Sequence, residues 1–199
     1  MTDADLRDAS IESLFVSAGA LLDGHFLLKS GRHAGRYLEK FLVLQHPRYG
    51  VEICRRFAVA LAPYSPTMIV GPTMGGVLLS FETARQLGGS VRAAFAEPAA
   101  AGGRALRRGW NVDGDERVAL VDDILTTGAS LVETAEAVRA AGAEPFAAAV
   151  IVDRSTAPVE LGFPLHPLGR IEIPSWEADA CPLCGDGVPV RKPGSSAPA

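Results

Sequence analysis

An α/β fold, with a central, mostly parallel sheet flanked by helices, is what this sequence predicts. Three observations carry the expectation. The middle of the chain alternates short apolar runs with helix-length segments. The apolar runs are continuous rather than alternating, as in strands buried on both faces. The helix-length segments stop at glycine, at Gly88-Gly89 and at Gly142, where a left-handed residue ends a helix cheaply.

Taken in order, the first 60 residues read as mainly helical with one irregular insert. Apolar positions from Ile11 onward have helical spacing, and Ser10 is placed to cap them. Residues 24–40 (GHFLLKSGRHAGRYLEK) break that pattern, and Lys-Ser-Gly-Arg within them reads as a tight turn between two extended pieces. Residues 47–61 return to helix, with Cys54 as a small core residue. Strands are expected at 67–71, 91–95, 117–121 and 146–152, and helices at 76–87 and 130–141. Residues 97–115, rich in Gly, Ala and Arg, read as a long loop. Beyond Arg154 the chain is proline-rich, and 192–199 reads as a disordered tail.

The 199 residues suit a single domain, and 48% hydrophobic residues are ample for a core. No apolar run approaches the ~18 residues needed to cross a bilayer. The amino terminus, MTDADLRDAS, lacks a basic stretch followed by an apolar one, so a cytoplasmic protein is expected with no membrane partner. A net charge of -4 argues against nucleic acid as a partner.

The most informative segment is VALVDDILTTGAS, residues 118–130. Four apolar residues build a strand, and Asp122 and Asp123 follow at its carboxyl end. Ile124, Leu125, Thr126, Thr127, Gly128, Ala129 and Ser130 then lead into a helix. In open α/β sheets ligands bind outside the carboxyl ends of strands. A hydroxyl-rich, glycine-containing entry into a helix offers free backbone N–H groups to a phosphate. Adjacent carboxylates there suit sugar hydroxyls, or Mg²⁺ held through water. Neither GxxxxGK[ST] nor GxGxxG is present.

This string resembles the phosphoribosyl-diphosphate (PRPP) motif of the type I phosphoribosyltransferases. Three more segments are similar to orotate phosphoribosyltransferases: Gly24-His-Phe-Leu-Leu-Lys-Ser-Gly-Arg-His33, Gly71-Pro-Thr-Met-Gly-Gly76 and Val152-Asp-Arg154. The carboxyl region with Cys-Pro-Leu-Cys-Gly resembles a subgroup of the same enzymes. The resemblance implies the type I phosphoribosyltransferase fold, with a small hood formed by about 1–45 and the carboxyl region over a core of about 46–156. It implies transfer of 5-phosphoribosyl from PRPP to orotate, in pyrimidine synthesis. Asp122 and Asp123 would contact the ribose hydroxyls, and Thr126 to Ser130 would wrap the 5-phosphate. Thr73 would line the diphosphate turn, where Gly75 and Gly76 let the backbone approach. Lys29, Thr126 and Arg154 would hold orotate. Mg²⁺ would come with PRPP rather than be held directly by the protein. A homodimer with a shared active site is implied, the 97–109 loop of one subunit reaching the other's site. Alternatives are a purine-type phosphoribosyltransferase and a PRPP-binding regulator with little turnover.

Two departures stand out. Many relatives have Lys and His in that loop, whereas here Arg104, Arg107 and Arg108 are its only cations. Arg104, next to Gly102-Gly103, is expected to clamp diphosphate, with Arg107 or Arg108 as the fallback. Many relatives also carry Lys in the diphosphate turn, which here reads Met74-Gly75-Gly76. Finally, Cys181 and Cys184 supply two of the four ligands a structural zinc needs. His166 is the nearest histidine, and two dimer-related pairs could complete a site. The expectation is a buried turn with two reduced thiols and no protein-bound zinc.

Overall fold

A computed structural model describes residues 2–28 and 30–193. Lys29 and 194–199, most of the expected tail, lie outside the described residues. The elements run α1 (Asp3–Asp8), α2 (Ile11–Ser17), β1 (Leu21–Leu27), β2 (His33–Leu38), α3 (Lys40–Leu44), α4 (Pro47–Leu61), β3 (Met68–Pro72) and α5 (Gly75–Leu87). They continue with β4 (Arg92–Pro98), β5 (Arg104–Leu106), β6 (Val118–Leu125), α6 (Ala129–Ala140), β7 (Pro145–Asp153), β8 (Leu165–Arg170), β9 (Ser175–Trp176) and α7 (Pro182–Gly185). Ser10 caps α2, its Oγ accepting the Ser13 amide at 3.1 Å.

The main sheet has the order β5-β4-β3-β6-β7-β8. The five strands from β4 to β8 are parallel, and β5 is antiparallel on one edge. Both faces are covered, which explains the unbroken apolar runs. Along β6, Ala119 and Val121 pack with Phe57 of α4 and Leu79 of α5. The alternate residues Val118 and Leu120 pack with Leu131 and Val138 of α6 on the other face. Cys54 lies in the first of these layers, 1% exposed, and burial pushes its thiol up to about 12.

Three stretches differ from expectation. Residues 97–109 are not an open loop: β4 and β5 form a hairpin with Pro98 opposite Arg104, turned through Gly102 and Gly103, both at positive φ. Small, polar residues hid the strand because β5 sits on the edge and is only half-buried. The strand expected to end at 121 runs to Leu125, so the two acids lie within its ladder, Asp122 opposite Val150. The proline-rich region contains β8, whose Pro167 is tolerated because β8 is an edge strand.

A second sheet, β1-β2-β9, is antiparallel and joins the amino-terminal hairpin to the carboxyl region. In the main sheet, β3 leads through α5 to β4 on one side while β6 pairs on its other side. The connections from β3 and β6 therefore diverge, and a crevice opens between their carboxyl ends.

Candidate active site

Asp122 and Asp123 are both buried. The Asp123 amide donates to Asp122 Oδ1, and the Ile124 amide donates to Asp123 Oδ1, each at 2.8 Å. Lys40 Nζ, at the start of α3, lies 2.7 Å from Asp123 Oδ2. Burial first, and then the neighbouring Asp123 charge, push the Asp122 carboxyl up to about 7. The Asp123 amide, Lys40 and Arg104 pull against that rise.

The glycines of 71–76 make this packing feasible. A Cβ on Gly75 would stand 2.2 Å from Asp123 Oδ2, and one on Gly71 would stand 2.5 Å from the Gly76 carbonyl oxygen. The expectation that Gly75 and Gly76 open the backbone to diphosphate is thus refined. The space that their missing side chains leave is filled by Asp123 and by the Gly71 backbone.

After β6 the chain turns at Gly128, φ +80°, where a Cβ would also strike Val159 at 2.3 Å. Thr126 and Thr127 are exposed on this turn. The N-cap residue of α6, Gly128, has no side chain to cap it, and among the described residues only Thr127 Oγ1 reaches the entry, accepting the Ala129 amide at 3.4 Å. A hollow of about 40 Å³ sits there, walled by residues 122 and 124–131. Its size and amide donors suit one phosphate-like anion.

The hollow adjoins a cleft of about 800 Å³ at the sheet crevice. Thr73, Arg104, Asp122, Asp123, Ile124, Thr126, Thr127, Ser130 and Arg154 line it together. Arg154 enters from the end of β7, its amide donating to the Leu125 carbonyl at 2.8 Å. Its Nε is buried without a hydrogen-bond partner. Burial also pulls its guanidinium below the ordinary value, a pull that Tyr37 opposes. An arginine held this way is primed for an incoming carboxylate or carbonyl.

Arg104 lies in its own chain's cleft, on β5, with Nε 3.4 Å from Glu133 Oε2 and Nη1 donating to the Ala96 carbonyl at 3.3 Å. Within the chain, the hairpin lays Arg104 against α6. Arg107 and Arg108 do not line the cleft. Arg107 is exposed, and Arg108 is engaged by Glu97 at 2.7 Å. Lys29 lies outside the described residues, while Leu28 and Ser30 line the cleft.

Sequence reasoning missed Lys40 and Tyr37, which also line the cleft. Their signal was weak: both lie in the irregular 24–40 segment, where only the turn was singled out. It also left the CxxC with two ligands, which the structure corrects. His25 and His33 of the hood hairpin lie against Cys181 and Cys184, whereas His166 is bonded to the Tyr64 hydroxyl at 2.9 Å.

Comparison with known proteins agrees with this geometry. Residues 51–163 match the phosphoribosyl transferase domain. The chain is 45% identical over 185 residues to an orotate phosphoribosyltransferase of Pelotomaculum thermopropionicum, covering 93% of this chain and 96% of that one. It is 44% identical over 189 residues to one of Caldicellulosiruptor saccharolyticus, covering 95% and 97%. The crystal structure of the Mycobacterium tuberculosis orotate phosphoribosyltransferase shares the fold, with a TM-score of 0.69 at 24% identity over 84% of this chain and 95% of that one. By nearly full-length identity, and by a domain match spanning the acid pair and the helix entry, this chain belongs to the orotate phosphoribosyltransferase family.

Proposed function

We propose that this protein transfers the 5-phosphoribosyl group of PRPP to orotate, giving orotidine 5′-phosphate and diphosphate in de novo pyrimidine (UMP) synthesis. The observation that carries it is one cleft holding an acid pair, a hydroxyl-rich helix entry and an arginine whose buried Nε lacks a partner. The C1–O bond to diphosphate breaks, a C1–N bond to the ring nitrogen forms, and the ring N–H proton is lost. Such a centre passes through a cation-like sugar, so positioning and charge do most of the work. Asp122 and Asp123 hold the ribose hydroxyls beside the developing cation. Residues 126–130 hold the 5-phosphate, and Thr73 faces the diphosphate. Arg104 clamps the diphosphate within its own chain. Arg154, Lys29 and the Thr126 hydroxyl hold orotate. Lys40 supplies the ammonium that the hairpin lacks.

Mg²⁺ fits the cleft. Three carboxylates, Glu39, Asp122 and Asp123, line it, and among the described lining residues there is no thiol or imidazole to favour a softer metal. Bound with PRPP, Mg²⁺ supplies neutralisation of the leaving diphosphate. No helix among the described residues is long and apolar enough to cross a membrane, and the water-soluble substrates support a cytoplasmic reaction.

The assembly we propose is a homodimer through α5. Met74, Leu78 and Phe81 stand 71%, 53% and 67% exposed along this helix, too large an apolar stripe to face water alone. The stripe begins beside Thr73, so a second copy would pack next to the diphosphate turn. Leu78→Asp with Phe81→Asp should give a monomer by sedimentation. The central test is incubation with PRPP, Mg²⁺ and orotate. Loss of orotate absorbance, dependent on Mg²⁺, is expected. Consumption of adenine or hypoxanthine in place of orotate would overturn the acceptor assignment.

A further inference from the structure

A second group of chemistry-bearing side chains lies in the hood. His25 on β1, His33 on β2, and Cys181 and Cys184 flanking the start of α7 converge until one ligand atom from each lies within 4.8 Å of the others. His25 Nε2 is 2.8 Å from His33 Nδ1, 3.4 Å from Cys181 Sγ and 3.8 Å from Cys184 Sγ. Cys184 Sγ is 3.3 Å from His33 Nδ1. Two sulfurs and two nitrogens bound tetrahedrally to one zinc stand about 3.3–3.8 Å apart, given bonds of about 2.3 and 2.0–2.1 Å. The observed separations bracket that range.

The surroundings point the same way. His25, His33 and Cys181 are buried, 1%, 8% and 5% exposed, so the cluster is shielded from water on most sides. His25 Nδ1 is 2.7 Å from the Val188 carbonyl. A carbonyl only accepts, so Nδ1 carries the proton and the Nε2 lone pair faces the cluster. Metal-ligating histidines are fixed by this kind of outer hydrogen bond. Without a metal, that lone pair can accept one proton, from His33 Nδ1 or from one of the two thiols.

We infer that His25, His33, Cys181 and Cys184 form a structural Zn²⁺ site within one chain. The donor set of two thiolates and two imidazoles suits zinc, and four protein ligands leave no open position for catalysis. On binding, both thiols lose their protons to solvent. The site ties three separate stretches together. Its histidines flank the turn from which Leu28 and Ser30 enter the cleft. Its cysteines precede the segment whose Arg191 amide donates to the His25 carbonyl at 2.8 Å. The metal thereby staples the carboxyl region to the hood hairpin.

The test uses the full chain without an affinity tag, produced in zinc-containing medium. Elemental analysis should find about one zinc per chain, falling below about a tenth of that in Cys181→Ser/Cys184→Ser. Metal-free wild type titrated with Co²⁺ should develop thiolate-to-cobalt charge transfer and the strong visible bands of a tetrahedral site, which Zn²⁺ abolishes. Stripping the zinc should lower Tm by about 10 °C. One zinc per two chains would overturn the single-chain site in favour of cysteine pairs meeting across a dimer. Metal content near zero, with no charge transfer on adding Co²⁺, would overturn the site altogether. Should the double variant not fold, Cys184→Ser alone replaces the exposed ligand. It should weaken Co²⁺ binding at least about 100-fold and reduce the charge-transfer band, and unchanged binding would overturn the site.

Discussion

The cleft and the hood gather their functional groups in opposite ways. In the cleft, the acids, the hydroxyls and the helix entry come from residues 122–130, one strand-to-helix passage. In the hood, the four metal-type ligands come from residues 25, 33, 181 and 184, and no local element joins the histidine pair to the cysteine pair. A contiguous site forms once its strand and helix are in place. A dispersed one must close a loop of most of the chain, and a cross-link there is worth more to stability. The cleft is therefore where turnover is decided, and the hood is where stability is decided.

The largest effect expected from this contrast is on turnover alone. Asp122→Asn with Asp123→Asn should cut kcat/KM by roughly 1,000-fold or more, since contacts aimed at the developing charge go together. Zinc content should stay near wild type. A double variant that keeps activity, or one that loses its metal, would erase the division between the two regions.

Next comes the question of whether a cleft is complete within one chain. Arg104→Ala should lose about 100-fold in kcat. Arg104 lines the same chain's cleft as the acids, so mixing this variant with Asp122→Asn/Asp123→Asn should leave activity absent even when subunits exchange. Recovery on mixing would mean that the hairpin serves the partner's site.

Arg154→Ala should raise the KM for orotate about 10–100-fold, for a charge-assisted contact of about 1.5–3 kcal/mol, and leave that for PRPP nearly unchanged. An equal rise for both substrates would assign Arg154 to the frame of the cleft.

The last effect is on stability rather than turnover, and it sharpens the contrast because it arises in the cleft. Asp122 titrates near 7 folded against an ordinary carboxyl value of 3.8. Between these values the folded chain holds more protons than the unfolded one, so stability falls as pH rises through the window and levels off above it. Relative to Asp122→Asn, wild type should lose about 2–4 kcal/mol between pH 4 and 8. Urea denaturation at each pH measures this, and parallel curves would refute the raised carboxyl.

The same contrast explains what could be read before the structure. Residues 118–130 announce themselves because apolar strand, acids and helix entry are adjacent in the chain. Pro47–Leu61 was legible to the residue, with a proline at its first turn and apolar residues at helical spacing. The pairing of β5 was not legible, since Arg-Ala-Leu carries no strand signal and its ladder is set by β4. Lys40 was invisible as a site residue because only the fold brings α3 to Asp123. His25 and His33 were in view as part of a turn motif, and the CxxC was in view as a pair. What joins them is the β2–β9 pairing, with His33 opposite Trp176, and no local pattern encodes it.

The margins of the main sheet carry a consequence for how this protein meets copies of itself. One margin is closed by β5, only three residues long, and the other by β8, interrupted by Pro167. Neither presents a long row of free amides and carbonyls on which a foreign strand could template. Open-ended strand addition is thereby disfavoured, which suits the helical contact proposed for α5. A contact between two α5 faces related by a two-fold axis satisfies itself and stops at a pair.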